Sequence, residues 1–406
     1  MFDQAAHSAP KEGFWAFMSV VSAFLIIMNT WGALISFGVF QTYYAAEFDH
    51  SASEISWIGS VQVFLLLFMG GIAGSLTDAG HGRLVLVAGA SLIVLGTLTT
   101  SAATAYWQVL LSQGICTGLG DGLLFAPIVS IVSVFFQKRR ALAIALSTSG
   151  SAVGGLVFPS MARELLAKVG FSWAMRAIGI LQAGTLVIAL AGAKPPNRLP
   201  DQRKIIDFSV FHEMQYDLFT FGLFLVFTGL FVPFFSVANY AREVQGASFE
   251  ESINYVLVLN GVGVVSRLLP GVLSLRVGTY NVYCFAIGST ALVIYCWTAV
   301  TSKSGLFAWT VFFSLCMGGI KSLFPAALST LRFDPLKQGT RMGMMTAVVS
   351  FGALIGPPVA SKFVSQGDWI SAEVFAASCI VGGLLFTLVA RELKRKEQGW
   401  SLLCAM

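Results

Sequence analysis

The sequence predicts an all-α membrane protein, with twelve transmembrane helices arranged as two pseudo-symmetric six-helix bundles. Three observations predict it. Only 11% of the 406 residues are charged while 56% are apolar, whereas a soluble domain carries roughly twice that charged share. The apolar residues gather in stretches of about 20 residues or more, the length that crosses a hydrocarbon layer. A polar, proline-containing connector at residues 194–216 divides those stretches six and six. Mean hydropathy is +0.77. An outer-membrane barrel does not fit, because barrel strands run about ten residues and alternate in polarity.

The twelve spans fall at 14–40, 53–76, 83–104, 106–135, 140–161, 171–193, 217–240, 251–275, 279–301, 305–331, 342–364 and 369–391. They define an N-terminal bundle (1–193), a linker (194–216) and a C-terminal bundle (217–406). With both tails and the even-numbered loops on one side, that side holds seventeen Lys and Arg residues and the other six. The positive-inside rule then puts both termini in the cytoplasm, with the chain a multi-pass protein of the cell membrane. The first span outlasts a signal-peptide core and lacks a convincing cleavage site, so it is expected to stay in the mature protein.

Span 1 is interrupted by Asn29, Thr30 and Trp31, and span 2 carries Gln62. Polar groups at that depth hydrogen-bond either a substrate or a neighbouring helix. Between spans 2 and 3 comes Gly74-Ser75-Leu76-Thr77-Asp78, with Arg83. Span 4 holds Asp121 within Gly118-Leu119-Gly120-Asp121-Gly122, a candidate proton carrier or a structural counter-ion for a cation elsewhere. Lys138, Arg139 and Arg140 form a cationic hinge before span 5, followed by the small-residue face of Gly150 and Gly154. Asn239 and Tyr240 at the end of span 7 are weaker candidates for an external gate.

Span 8 contains Asn260 and, seven residues or about two turns later, Arg267, whose planar guanidinium matches a carboxylate in two hydrogen bonds. Span 10 contains Lys321 beside Gly318, Gly319 and Ser322, whose small size leaves room for a substrate or for a packed helix. Ionisable groups in hydrocarbon are costly, so each is a functional candidate by default. Lys321 either meets substrate or is neutralised by Asp121. Repetition between the halves is visible. Gly150-x-x-x-Gly154 after Arg140 echoes Gly352-x-x-x-Gly356 after Arg341, and the glycine-rich run around Asp121 echoes that around Lys321.

Other classes are disfavoured. Six cysteines show no paired spacing, which argues against a disulfide or metal framework. No nucleotide-binding loop, metal-ligand spacing or nucleophile–base set is present, so neither an enzyme nor a bound cofactor or metal is expected. The net charge of +5 is accounted for by membrane sidedness without a nucleic-acid partner.

Glu12-Gly13-Phe14-Trp15-Ala16-Phe17, Phe135 through Ala143 and Ser149 through Gly154 resemble the two signatures of the monocarboxylate transporter family, a branch of the major facilitator superfamily. The resemblance spans nearly the whole chain and is closest to the fungal branch. It implies a secondary transporter of small organic acids working by alternating access. In it Arg267 would be the anion anchor, with Asn260 on the same face; Lys321, which is not a general feature of that family, and Asn29 and Gln62, polar at depth, are this chain's further candidates for the substrate site. Asp121 would carry a coupled proton, and Asp78, Arg83, Lys138, Arg139 and Arg140 would couple helix ends during rocking. Ile35 and Gly263 stand where the animal lactate carriers place a lysine and an aspartate, so proton–lactate symport does not transfer. Two cations favour a dicarboxylate, with itaconate export as the example. The rival readings are an exporter of secondary metabolites or drug-like compounds, and an importer of a neutral nutrient, in the same fold.

Overall fold

The computed structural model describes residues 13–48, 50–136, 140–194, 213–331 and 338–398. Lys138, Arg139 and residues 195–212 of the connector lie outside the described residues. Nearly all the rest is helix, and no strand occurs among the described residues. That is the outcome hydrocarbon imposes, because each backbone N–H and C=O must find its partner within its own segment.

The first crossing begins as α1 (Phe14–Ile27). It widens into a π-helical turn at Met28–Gly32, then continues through Ala33–Ile35 into α2 (Phe37–Glu47). The wide turn falls where Asn29, Thr30 and Trp31 interrupt the apolar run, and all three are buried. Such bulges frequently accompany functional sites. Next come α3 (Ala52–Leu76) and α4 (Gly82–Thr100), joined through a tight turn in which Gly80 has φ 89°. A further crossing runs through Tyr106–Val109 and a π-helical segment, Leu110–Thr117, into α5 (Gly118–Phe135).

The helix α6 (Arg140–Gly192) has 53 residues, about 80 Å of rise and well over twice the hydrocarbon thickness. It breaks at Gly170, where φ is 76° and ψ 173°. Its two arms return along one partner: Gly150 lies against Phe24, and Gly192 against Met18 and Ser22. The eleven long apolar helices among the described residues therefore make twelve crossings. The second half comprises α7 (Met214–Glu243), α8 (Phe249–Val277), α9 (Thr279–Trp297), α10 (Lys303–Leu331), α11 (Gln338–Ser365) and α12 (Trp369–Gln398).

Duplication is written into the packing. α3 and α8, the second crossing of each half, both start with a capping box, Ser51 with Glu54 and Ser248 with Glu251, satisfying helix-end donors in the same way. Gly150 and Gly154 of α6 press on the carbonyls of Phe24 and Met28; Gly352 and Gly356 of α11 press on those of Phe224 and Thr228. In each half the first and fifth crossings thus touch backbone to backbone, the close approach that small residues permit between membrane helices.

Between the halves α3 runs along α11. Ser53 Oγ donates to the Pro358 carbonyl at 3.1 Å, Phe351 packs edge-on against Phe64 and Phe68, and Gly71 meets Gly343. Gly38 of α2 approaches the Phe234 backbone, and Arg163 donates to Asn254 at 3.1 Å. Large apolar side chains such as Phe285, Leu292 and Phe312 stay exposed, as a lipid-facing surface requires.

Candidate functional site

Between the halves lies a cavity of only about 40 Å³, lined by Ile27, Trp31, Ile35, Phe125, Thr148, Ser151, Phe227, Arg267, Lys321, Ser322 and Phe324. A water in the liquid occupies about 30 Å³, so the cavity as it stands is of water size. A larger groove, about 430 Å³, is lined by Leu95, Trp107 and Leu111 among others. Those three side chains are half or more exposed on the outer surface, so that groove faces lipid.

Two cations line the central cavity. Arg267, on α8, is 3% exposed and its Nη1 donates one long hydrogen bond, 3.4 Å, to the Thr148 carbonyl on α6. Asn260 sits two turns earlier, packed on Gly155 of α6 with Nδ2 donating to the Val256 carbonyl at 2.9 Å. The two residues thus face one partner helix in antiparallel register, but only Arg267 reaches the cavity.

Lys321, on α10, has no hydrogen-bond partner for Nζ. Its ammonium lies 3.7 Å from the centroid of Phe234, with Phe231 at 5.5 Å and Trp31 at 5.8 Å, within the range of cation–π attraction. Trp31 in turn lies nearly parallel to Phe231, 13° between planes at 6.3 Å, and edge-on to Phe125 at 5.5 Å. Among the described residues neither cation forms an ion pair.

Asp121 is fully buried on α5 but lies apart from that cavity. Its Oδ2 accepts from Gln62 Nε2 at 2.9 Å, while Oδ1 has no partner. The carboxylate is therefore held between α3 and α5, and Lys321 is held by rings instead of by Asp121. Asn29 points away from the cavity as well: its Nδ2 donates to the Leu25 carbonyl at 2.8 Å and to Thr185 Oγ1 at 2.9 Å, tying α1 to α6.

At the helix ends, Arg83 Nη1 donates to the carbonyls of Leu190 at 2.9 Å and Ala193 at 3.4 Å, linking α4 to the end of α6. Asp78 falls in the Thr77–His81 turn, and Arg140 opens α6. Tyr240 donates to the Val300 carbonyl at 2.9 Å, and Asn239 to Glu243 at 2.9 Å, both within the second half.

Sequence reasoning overlooked the aromatic walls and one acid. Phe125 and Phe227 of the cavity wall, and Phe231 and Phe234 beside the Lys321 ammonium, are hidden in apolar runs, although the crowding of five phenylalanines between Phe224 and Phe235 was a usable signal. Glu373, near the start of α12, is 2% exposed with Oε2 unpartnered.

Paired helical halves closed around a charged, aromatic-walled cavity define the protein as a membrane transporter. A sequence profile of the Major Facilitator Superfamily matches residues 20–331 and 271–401. The chain is 41% identical over 391 residues to an MFS-type transporter of Gibberella zeae, covering 95% of this chain and 88% of that one. It is 32% identical to the aspyridones efflux protein apdF of Emericella nidulans, over 96% of this chain and 80% of the relative. It is also 32% identical to the agnestins efflux protein AgnL12 of Paecilomyces divaricatus, over 93% and 87%. This chain belongs to the major facilitator superfamily.

Proposed function

We propose that this transporter exports a secondary metabolite by alternating access. The observation that carries the reading is the cavity wall: Trp31, Phe125, Phe227 and Phe324 offer flat apolar surface of the kind that holds extended molecules with a few placed polar groups. Relatives named as efflux proteins for aspyridones and agnestins support it. A small organic acid of the monocarboxylate-transporter type, itaconate for example, is the second reading. It is favoured by Arg267 and Lys321 lining one cavity but needs none of the ring surface.

Residues 1–193 and 217–406 are the two moving halves, with the termini in the cytoplasm and the cell membrane as the site. Asp121 takes the coupling proton. A bare carboxylate without a cation beside it is costly in hydrocarbon, and a proton is the counter-charge most readily available there. Gln62 holds it in place. Asn29 and Asn260 are fixed by helix contacts and shape the site from behind. Arg83 couples helix ends through its two carbonyl contacts. Lys138, Arg139, Arg140 and Asp78 share that coupling role.

The test is gene deletion in the source organism, with secreted and retained metabolites compared by mass spectrometry. Export predicts one compound lost from the medium, retained in the cells and restored by the gene. An unchanged secreted profile together with lost uptake or counterflow of itaconate favours the organic-acid reading.

A further inference from the structure

We propose that the transported molecule is an anion carried on a flat conjugated body, with Lys321 as the residue that selects its charge. This rests on the export reading above for direction, though not for chemistry. The cavity presents two buried cations and, among the described residues, no carboxylate within ion-pair reach of either. Arg267 spends one long bond on Thr148, and all the donors of Lys321 Nζ are unused.

Two like charges sharing a water-poor cavity repel each other, since Coulomb energies rise as the dielectric falls. A neutral substrate leaves that repulsion in place and adds the loss of residual hydration. An anion placed between the two removes it and converts unused donors into charge-assisted hydrogen bonds.

The rings decide the rest of the molecule. Phe234 holds the ammonium at 3.7 Å, so Lys321 is positioned by a ring without being neutralised. Trp31, Phe125, Phe227 and Phe324 line the cavity beside that ammonium; Trp31 is held in place by stacking on Phe231, 6.3 Å at 13°, and meets Phe125 edge-on at 5.5 Å. Aromatic walls of this kind favour planar π-systems that stack or meet them edge-on. A short acid without a ring fills the cationic end and leaves the aromatic end without contacts. Ring and charge must therefore be adjacent, because the lysine and the ring faces are.

The experiment uses the full chain in lipid nanodiscs and measures direct binding of 2-naphthoate, 2-naphthamide and itaconate. 2-Naphthoate and 2-naphthamide share the ring and differ in charge; itaconate has the charge without the ring. The expected result is that 2-naphthoate binds about tenfold or more tighter than either of the others, a tenfold step being about 1.4 kcal/mol. Lys321→Met should erase the preference for naphthoate over naphthamide, and Lys321→Arg should keep it.

Naphthamide binding as tightly as naphthoate, or the preference surviving in Lys321→Met, overturns the charge assignment. Itaconate binding as tightly as naphthoate overturns the conjugated body, and no binding by any probe overturns both. If Lys321→Met does not fold, the wild-type comparison still decides. A failure of the export reading shows in the gene-deletion profile and leaves these binding ratios untouched, so the two failures are separable.

Discussion

Replacing Gly154 by alanine should loosen the first half at one of its closest backbone contacts. A Cβ on Gly154 would stand 2.8 Å from Gly32 Cα, and one on Gly32 would stand 2.7 Å from Gly154 Cα. Ordinary contact begins near 3.4 Å, so the π-helical turn and α6 must part by at least 0.6 Å. The Met28 carbonyl is closer still and is backbone, so no side chain can swing aside. Overpacking of this kind costs about 1–3 kcal/mol. The assay is unfolding of the purified protein in mixed micelles followed by circular dichroism, with Gly184→Ala as control. Gly184 has nothing within 4 Å of an added Cβ, so its substitution should be neutral or gain up to about 1 kcal/mol from helix propensity. Gly32→Ala forces the same parting, so the double variant should cost little more than the worse single variant, with a coupling of about 0.5–3 kcal/mol. A Gly154→Ala protein as stable as wild type, or strictly additive single costs, would refute the backbone-contact reasoning.

Asp121→Asn should fold, since its amide oxygen can still accept from Gln62. Its transport in vesicles should no longer respond to an imposed proton gradient, and an unchanged response removes Asp121 from coupling. Cysteines introduced together at Gly71 and Gly343, which touch across the halves, should join on oxidation. Transport should stop and return with reductant; full activity in the cross-linked protein would mean that α3 and α11 need not separate there. Glu373→Gln should keep the unfolding midpoint or raise it, by the equivalent of up to about 1–3 kcal/mol of stability, because the buried Oε2 has no partner to lose. A fall in the midpoint would show that the charge is used.

Length and polarity made the crossings legible, because an interruption in an apolar run is conspicuous. The break between spans 5 and 6 could be placed near Gly170 even though α6 is helical on both sides of it. Arg267 and Lys321 stood out for the same reason, as charges where charge is costly. Direction around the helix axis was harder to read. Each residue turns the helix by about 100°, so a boundary uncertain by one residue leaves a side chain's facing undetermined. Asn29 and Gln62 sit among apolar neighbours as Lys321 does, yet they turn to Thr185 and Asp121. The crowded phenylalanines at residues 224–235 marked a region; only its distance from an ammonium singles out Phe234 among them.

The paired glycine contacts also separate what can change from what cannot. Gly150 and Gly154 fix the spacing of two helices through the backbone, and Thr148 and Ser151 on the same stretch line the cavity. Substitutions at those two positions retool the chamber while the clamp keeps its gauge. A lineage built on this frame can drift from one cargo to another through single side chains, with the hinge machinery inherited intact.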